Sequence, residues 1–362
     1  MHSTRAPRRL RRVGVLVAAG LAITSLAACG GDDESSSSAD GGSGGDSTEV
    51  RLGYFPNLTH APAIVGIENG YFEDALSESS ASVEFLDFNS GSDTIDSLLN
   101  GDLDITYIGP SPAITAYATS KNVSIISGTT SGGASLVVDP SITSPEDLAG
   151  TTLATPGLAN TQDVALKAWL KEQGYAVSAD GQGDVTVINQ DNSLTVQAFG
   201  QGEIDGAWLP EPYAALLVNE GAEVLLNEAD LWPDGRFVTT HLLVNNDFLA
   251  DHAGLVDDIL QAHLDSLDYI QQNSEEAKTL TAEYIGGLTG SQVPPEVTSS
   301  AWEQLEFTSD PIADSLLEGA ADAEAVGLLE PVDGLADIYD LDPLNALLAE
   351  AGQPEVSGPS AQ

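Results

Sequence analysis

Between residues 49 and about 248 the apolar positions switch repeatedly between two patterns. Short continuous runs (VRLGYF, SVEFLDF, VSIISGTT, ASLVV, TTLAT, DVTVINQ, EVLLN, HLLVNNDF) have the length and β-branched content of buried strands. Runs with apolar residues three and four apart (HAPAIVGIENGYF, TIDSLL, AITAYATS, TQDVALKAWLKEQGY, DNSLTVQAF, YAALLV) stand between most of them and read as helices. Ser144, Pro145 and Asp147 supply an N-cap, a proline at the first helical position and an acid at the third, a helix start. Ser90 and Asp93 stand at capping-box spacing before TIDSLL. From about residue 247 to 348 the pattern is mostly helical, and AGLVDDILQAHLDSLDYIQQ is its clearest amphipathic run. Strands alternating with helices predict an α/β fold.

One pattern occurs twice. NGDLDITYIGPSP (100–112) and QGEIDGAWLPEPY (201–213) align Gly101 with Gly202, Asp102 with Glu203, Leu103 with Ile204, Asp104 with Asp205, and Tyr107 with Trp208. Each copy follows a helical run, and its glycine reads as the C-cap of that helix. An apolar run then predicts a short buried strand, closed by a proline-rich loop and a further helix. Two equivalent units predict two similar α/β lobes. The loops at the carboxyl ends of such strands are where α/β sheets bind ligands, so the site belongs between the lobes. ASLVV is expected to leave the first lobe and HLLVNNDF to return to it. The expected division is 49–138 for the first part of lobe 1, 139–240 for lobe 2, 241–350 for the return and the C-terminal helices, and 351–362 for a loose tail.

The first residues do not belong to this pattern. A basic stretch precedes the apolar run VGVLVAAGLAITSLAA and then Cys29, the only cysteine in 362 residues. Residues 1–28 read as a secretory leader. LAAC resembles a bacterial lipobox, which makes Cys29 the expected lipidation site and new N-terminus. The run is short for a membrane span. Residues 29–48 are acidic and Gly/Ser-rich and cannot bury a core, so they read as a flexible tether holding the folded body at a membrane. A single cysteine excludes a disulfide framework within the chain.

The formal net charge is −45, with 11 basic residues against 56 acids. Five of the eleven lie before residue 13, leaving Arg51, Lys121, Lys167, Lys171, Arg236 and Lys278 for the body. This argues against a nucleic-acid partner, whose phosphates are held by Lys and Arg. There is no nucleophile elbow, P-loop or dinucleotide fingerprint. The five histidines show no metal-ligand spacing. No catalytic residue, metal or cofactor is expected. What remains is a set of polar, Gly- and Pro-rich loops that each feed a helix N-terminus: 57–60, 90–93, 109–111, 160–161, 190–193 and 208–213. Free N–H groups at helix starts, with the helix dipole behind them, hold anions without a lysine. Asn57, Thr59 and His60 are the candidates on the first of these loops.

The stretches LGYFPNLTHAPAIVGIENGYF, FNSGSDTIDSLLNGDLDITYIGPSPAI, ITSPEDLAGTTLATPG and GEIDGAWLPEPYA, in this order and spacing, resemble bacterial ABC-transporter substrate-binding proteins of the aliphatic sulfonate, taurine and nitrate group. The resemblance runs from about residue 50 to 248. It implies a type II periplasmic-binding fold, with two lobes, two hinge crossings and a ligand cleft that closes on its guest. It also implies delivery of a small solute to a membrane permease with its own ATPase; the expected state of the protein is a monomer. On the taurine-binding pattern, Ser111 matches the small residue after the third strand. Gly91 and Ser92 match a Ser/Gly turn, Thr161 matches a polar residue opening a second-lobe helix, and Trp208 and Glu211 fall where the second lobe faces the ligand. Glu211 departs from an all-anion site and suits an amine, so a zwitterion such as taurine fits better than nitrate. Tyr107 and Trp208 are candidate aromatic walls, with Arg236 and His241 as weaker site candidates. A pyrimidine-type thiamine precursor is the alternative ligand and predicts stacked aromatics around Trp208. An enzyme on the same scaffold is the remaining alternative and needs His or Cys in the cleft.

Overall fold

The computed structural model describes residues 48–360. The leader, Cys29 and all but the last residue of the 29–48 tether lie outside the described residues. Among the described residues, no helix is long and apolar enough to cross a membrane.

Two sheets, each with helices packed on it, form the body. The first begins with β1 (Glu49–Tyr54), α1 (Ala61–Asn69), α2 (Tyr71–Glu78), β2 (Ser82–Asp87), α3 (Gly91–Asn100), β3 (Ile105–Ile108), α4 (Pro110–Ser120) and β4 (Val123–Gly132). The chain then crosses into the second, made of β5 (Ala134–Val138), β6 (Thr152–Thr155), α5 (Thr161–Glu172), β7 (Thr186–Asn189), α6 (Asn192–Gly200), β8 (Gly206–Pro210), α7 (Tyr213–Asn219) and β9 (Glu223–Asn227). It returns along β10 (Val238–Asn245) and continues through α8 (Asn246–Asp251), α9 (Ala253–Gln272), α10 (Ser274–Thr289), α11 (Pro295–Trp302), β11 (Leu305–Phe307), α12 (Ala313–Ala325) and α13 (Asp342–Glu350). The strand orders are β11-β4-β10-β3-β1-β2 and β7-β6-β8-β5-β9.

In both sheets the strands that carry the helical crossovers are parallel: β1 with β2 and β3, and β6 with β7 and β8. The interior strands β3 and β8 are buried entirely, unlike the edge strands β2 and β7, which is why they read as continuous apolar runs. The long helix α9 buries Val256, Ile259, Leu260, Leu267 and Ile270 at spacings of three and four, the stripe that docks it on the first sheet.

The repeated pattern has a structural cause. Asp104 accepts the Arg51 N–H of β1 through its carboxylate at 2.8 Å and returns its own N–H to the Arg51 carbonyl. Asp205 does the same to Thr152 of β6, with its carboxylate 2.7 Å from the Thr152 N–H. Each Asp thus fixes the approach of the new strand to its parallel neighbour, and each is reached through a glycine of positive φ, 77° at Gly101 and 70° at Gly202. Asp205→Ala leaves the half-buried Thr152 N–H without its acceptor. It is expected to cost about 1–2 kcal/mol in urea unfolding with an unchanged m-value; a loss under a few tenths would remove this account of the repeat.

The first crossing falls at Gly132 and Gly133, both at positive φ (80° and 73°), which only glycine adopts without strain. This corrects the expected boundary at 138. Residues 134–138 pair antiparallel with β8 and β9, so β5 belongs wholly to the second sheet. It is buried along its whole length, and a strand buried on both faces carries no mark of which sheet it joins. The return strand pairs with β4 from Val238, slightly before the expected 241, and with β3 from His241. The Ser144 capping box forms, but it opens only the single 3₁₀ turn Pro145–Leu148. The edge strand β11, inside the stretch expected to be mostly helical, is only three residues long, too short for its alternation to stand out from the helical pattern around it, and is held by β4. The tail expected to be loose is tied: Val356 and Asn345 exchange two hydrogen bonds, and Ser360 binds Asp314.

Candidate functional site

Loops from the carboxyl ends of both sets of parallel strands meet over one cavity. From the first lobe come Phe55, Asn57, Thr59 and His60 after β1, Asn89 after β2, and Gly109 and Pro112 after β3, with Thr239 on the return strand. From the second come Pro156, Asn160, Thr161 and Gln162 after β6, Asn192 after β7 and Pro210 at the end of β8. The volume is about 40 Å³, room for only a few water-sized groups when one water needs about 10–15 Å³.

The lobes are closed on each other. Leu58 N–H donates to the Glu211 carbonyl at 3.1 Å, and Tyr213 Oη donates to the Pro56 carbonyl at 3.3 Å. A Cβ on Gly109 would come within 2.6 Å of Thr161 Oγ1, and one on Gly91 within 2.7 Å of Asn160 Oδ1. Glycine at these two positions is what lets the second-lobe loop come this near.

The cavity is lined by dipoles, without a charged side chain. Four helices start around it, and none of their N-caps (Ser90 for α3, Gly109 for α4, Asn160 for α5, Asp191 for α6) makes a side-chain capping bond. This corrects the capping box expected at Ser90, whose hydroxyl bonds instead to Ser92 Oγ at 2.6 Å. The positive ends of these helices are therefore left for another acceptor. Thr161 Oγ1 and Asn192 Oδ1 are buried without a hydrogen-bond partner, as is Gln190 Nε2 on the same loop as Asn192.

His60 adds a neutral donor. Phe55 N–H donates to its Nδ1 at 3.2 Å, and the two rings stack with centroids 4.9 Å apart. An accepting Nδ1 leaves the ring hydrogen on Nε2. Burial pushes the imidazole down to about 3, so it is uncharged at neutral pH.

The one buried lysine stands behind the wall and is already neutralised. Lys167 Nζ lies 2.7 Å from Asp163 Oδ2, with the two side chains 1% and 0% exposed. Asp163 also accepts Thr155 Oγ1, Asn189 Nδ2 and the Ala159 N–H. It thereby ties the ends of β6 and β7 to the loop that carries Asn160 and Thr161.

Of the expected ligand residues, Asn57, Thr59, His60 and Thr161 line the cavity. Gly91 is buried behind the lining, against Pro112 and Asn160. Ser92 is exposed to solvent. Ser111 is buried in the first turn of α4, where its carbonyl accepts Thr115 Oγ1, while its neighbours Gly109 and Pro112 reach the cavity. Trp208 does not reach it: the ring is fully buried edge-on to Trp169, and Nε1 donates to Glu228 Oε2 at 2.7 Å. It sits two residues before Pro210, roughly 7 Å down the strand from the cavity. Its counterpart Tyr107 is equally buried, with its hydroxyl on His263 Nδ1. Glu211 follows Pro210 and faces away from the cavity, its carboxylate accepting the Ala215 N–H at 3.0 Å. Arg236 pairs with Glu306 and Asp310, and His241 bonds the Pro311 carbonyl. Asn89 and Gln162, each next to a loop singled out above, could have been found by widening it. Phe55 and Thr239 carry no sequence signal, because only sheet order brings them to the cavity. Among the described residues no group of three or more His, Cys, Asp or Glu could hold a metal ion.

A model of the NMT1-like family matches residues 43–286, two thirds of the chain. The chain belongs to the NMT1-like family. The taurine-binding periplasmic protein of Escherichia coli (strain K12) is 30% identical over 193 residues, 52% of this chain and 58% of that one. A putative aliphatic sulfonates-binding protein of Bacillus subtilis (strain 168) is 25% identical over 301 residues, 81% of this chain and 85% of that one. Among solved structures, the alkanesulfonate-binding protein SsuA of Xanthomonas axonopodis pv. citri, bound to MOPS, superposes with a TM-score of 0.66 at 16% identity, over 81% of this chain and 98% of that one. The periplasmic nitrate-binding protein NrtA of Synechocystis PCC 6803 superposes with a TM-score of 0.71 at 16% identity, over 85% and 90%. This NMT1-like chain therefore has the two-lobed periplasmic-binding fold, with the cleft between its lobes and two crossings. The relatives and neighbours named here are binding proteins, not enzymes.

Proposed function

We propose that this protein is the extracytoplasmic solute-binding component of an ABC importer. It captures a small sulfonate or taurine-like solute and passes it to a membrane permease with its own ATPase. The observation that carries this reading is the set of four helix starts without side-chain caps around a cavity that has no charged side chain of its own. Each contributes roughly 0.3–1 kcal/mol toward holding an anion, more where buried. His60 Nε2 and the hydroxyls and amides of Thr59, Thr161, Asn57 and Asn160 add neutral donors. The names of the taurine- and sulfonate-binding relatives support the same ligand class. A stacked pyrimidine has less support, since Phe55, already stacked on His60, is the only Phe, Tyr or Trp lining the cavity. An enzymatic role has less still: His60 lines the cavity without a carboxylate, thiol or second histidine beside it.

Calorimetric titration with taurine, alkanesulfonates, nitrate and a pyrimidine thiamine precursor tests the ligand. Taurine or an alkanesulfonate is expected to bind saturably, and no heat from either overturns the reading. Affinity for an alkanesulfonate, which carries no group of its own that titrates in this range, is expected to be flat from about pH 5 to pH 9, because His60, the only titratable residue of the lining, titrates well below that window.

Lipidation at Cys29, with residues 29–48 as tether, remains part of the proposal, as does a monomeric state. Cys29→Ala is expected to move the protein from the membrane fraction to the soluble fraction. Retention of the variant in the membrane would remove the anchor.

A further inference from the structure

The carboxylate of Glu211 opens onto a space of its own. A second cavity of about 190 Å³ is lined by Glu211, Asn227 and Val218 of the second lobe and by Ser300 and Gln304, from α11 and the residues just after it. It spans the lobe boundary, which Asn227 Nδ2 bridges by donating to Gln304 Oε1 at 2.8 Å. None of these residues lines the ligand cleft. Glu211 is 4% exposed. One of its oxygens accepts the Ala215 N–H, and among the described residues no donor reaches the other and no cation pairs with it. A buried carboxyl with a free oxygen, polar groups beside it and aliphatic walls suits a compact cation that brings its own hydrogens and a short apolar body. Capping α7 uses only one of the two oxygens and leaves the cavity itself unexplained.

We infer that this cavity is a second binding site, separate from the cleft, that accepts a small primary alkylammonium with its NH₃⁺ on the free oxygen of Glu211. The site stands whether or not the cleft takes a sulfonate. Burial pushes the carboxyl up to about 7, and it is the only titratable group in the cavity lining. Binding below that pH therefore exchanges one proton for one ammonium.

The test is calorimetry of the purified protein with n-propylammonium chloride at pH 6 and pH 8, repeated in buffers of different ionisation heat. Sodium chloride, tetramethylammonium chloride and n-propanol serve as controls. Saturable 1:1 binding is expected, about tenfold tighter at pH 8, with close to one proton released at pH 6. Glu211→Gln is expected to lose at least tenfold in affinity for propylammonium while its melting temperature stays close to that of the parent. Val218→Phe narrows the mouth at a position 41% exposed and is expected to weaken binding as well. Absence of saturable binding, equal heats from tetramethylammonium or sodium, or unchanged affinity in Glu211→Gln overturns the site. If Glu211→Gln does not fold, proton release by the parent protein decides: none at pH 6 overturns the assignment to Glu211.

Discussion

Lys167→Met is expected to lower the free energy of unfolding by about 3–5 kcal/mol, the cost of removing one partner of a fully buried ion pair. The lysine is 1% exposed and its ammonium donates to Asp163 and to the Ala179 carbonyl, at 2.7 and 2.9 Å. Methionine fills most of the same volume, so the loss isolates the charge. Asp163 is left in the interior with only neutral donors: the Thr155 hydroxyl, the Asn189 amide and the Ala159 N–H. Water cannot replace the ammonium at a side chain with 0% exposure. The companion double variant, Asp163→Asn with Lys167→Met, removes the stranded charge and is expected to recover part of the loss. Coupling of at least about 1 kcal/mol should appear in a double-mutant cycle from urea unfolding at pH 7. A loss below about 1 kcal/mol for Lys167→Met would mean that the pair is hydrated. Because Asp163 holds the loop of Asn160 and Thr161, the single variant is also expected to weaken ligand binding, a readout separate from stability.

Gly109→Ala is expected to weaken capture of the cleft ligand by about 10- to 100-fold while leaving the melting temperature of the ligand-free protein close to unchanged. The added Cβ would stand 2.6 Å from Thr161 Oγ1, on the other lobe. Gly109 itself has φ −69° and ψ 158°, which alanine adopts freely. The backbone therefore gives no penalty, and the clash arises only when the lobes meet. Overpacking costs about 1–3 kcal/mol, and each 1.4 kcal/mol is a factor of ten in Kd. An affinity within twofold of the parent, measured with whichever sulfonate binds in calorimetry, would mean that the closed arrangement described here is not the one that holds ligand.

The residues that served as site candidates divide on physical grounds. Asn57, Thr59, His60 and Thr161 lie on loops just past strand ends, and position along the chain is enough to put such loops at the cleft. Trp208 fails by depth: its place two residues short of the strand end puts the indole under α5, where Trp169 and Glu228 occupy its edge and its N–H. Glu211 fails by direction, since the residue after Pro210 turns toward α7 and away from the cavity. Ser111 fails by helical phase, because the first turn of α4 presents Gly109 and Pro112 instead. Its neighbourhood and that of Trp208 nevertheless share the gap, through Gly109 and Pro210.

By itself the sequence determined the alternation of strands and helices, the doubled unit with its paired Asp residues, the loops that end at helix starts and the near absence of cationic side chains from the folded body. These are near-neighbour properties, set by side-chain period, capping chemistry and charge count along a few residues. The tertiary structure alone decided that the chain crosses at Gly132 and Gly133, that β10 inserts between β3 and β4, and that Asn160 and Thr161 come to rest against Gly91 and Gly109. It also decided that Glu211 opens onto a second cavity. Those outcomes depend on which sheet a fully buried strand joins and on how two lobes pack, and both are set by contacts between residues far apart in the chain.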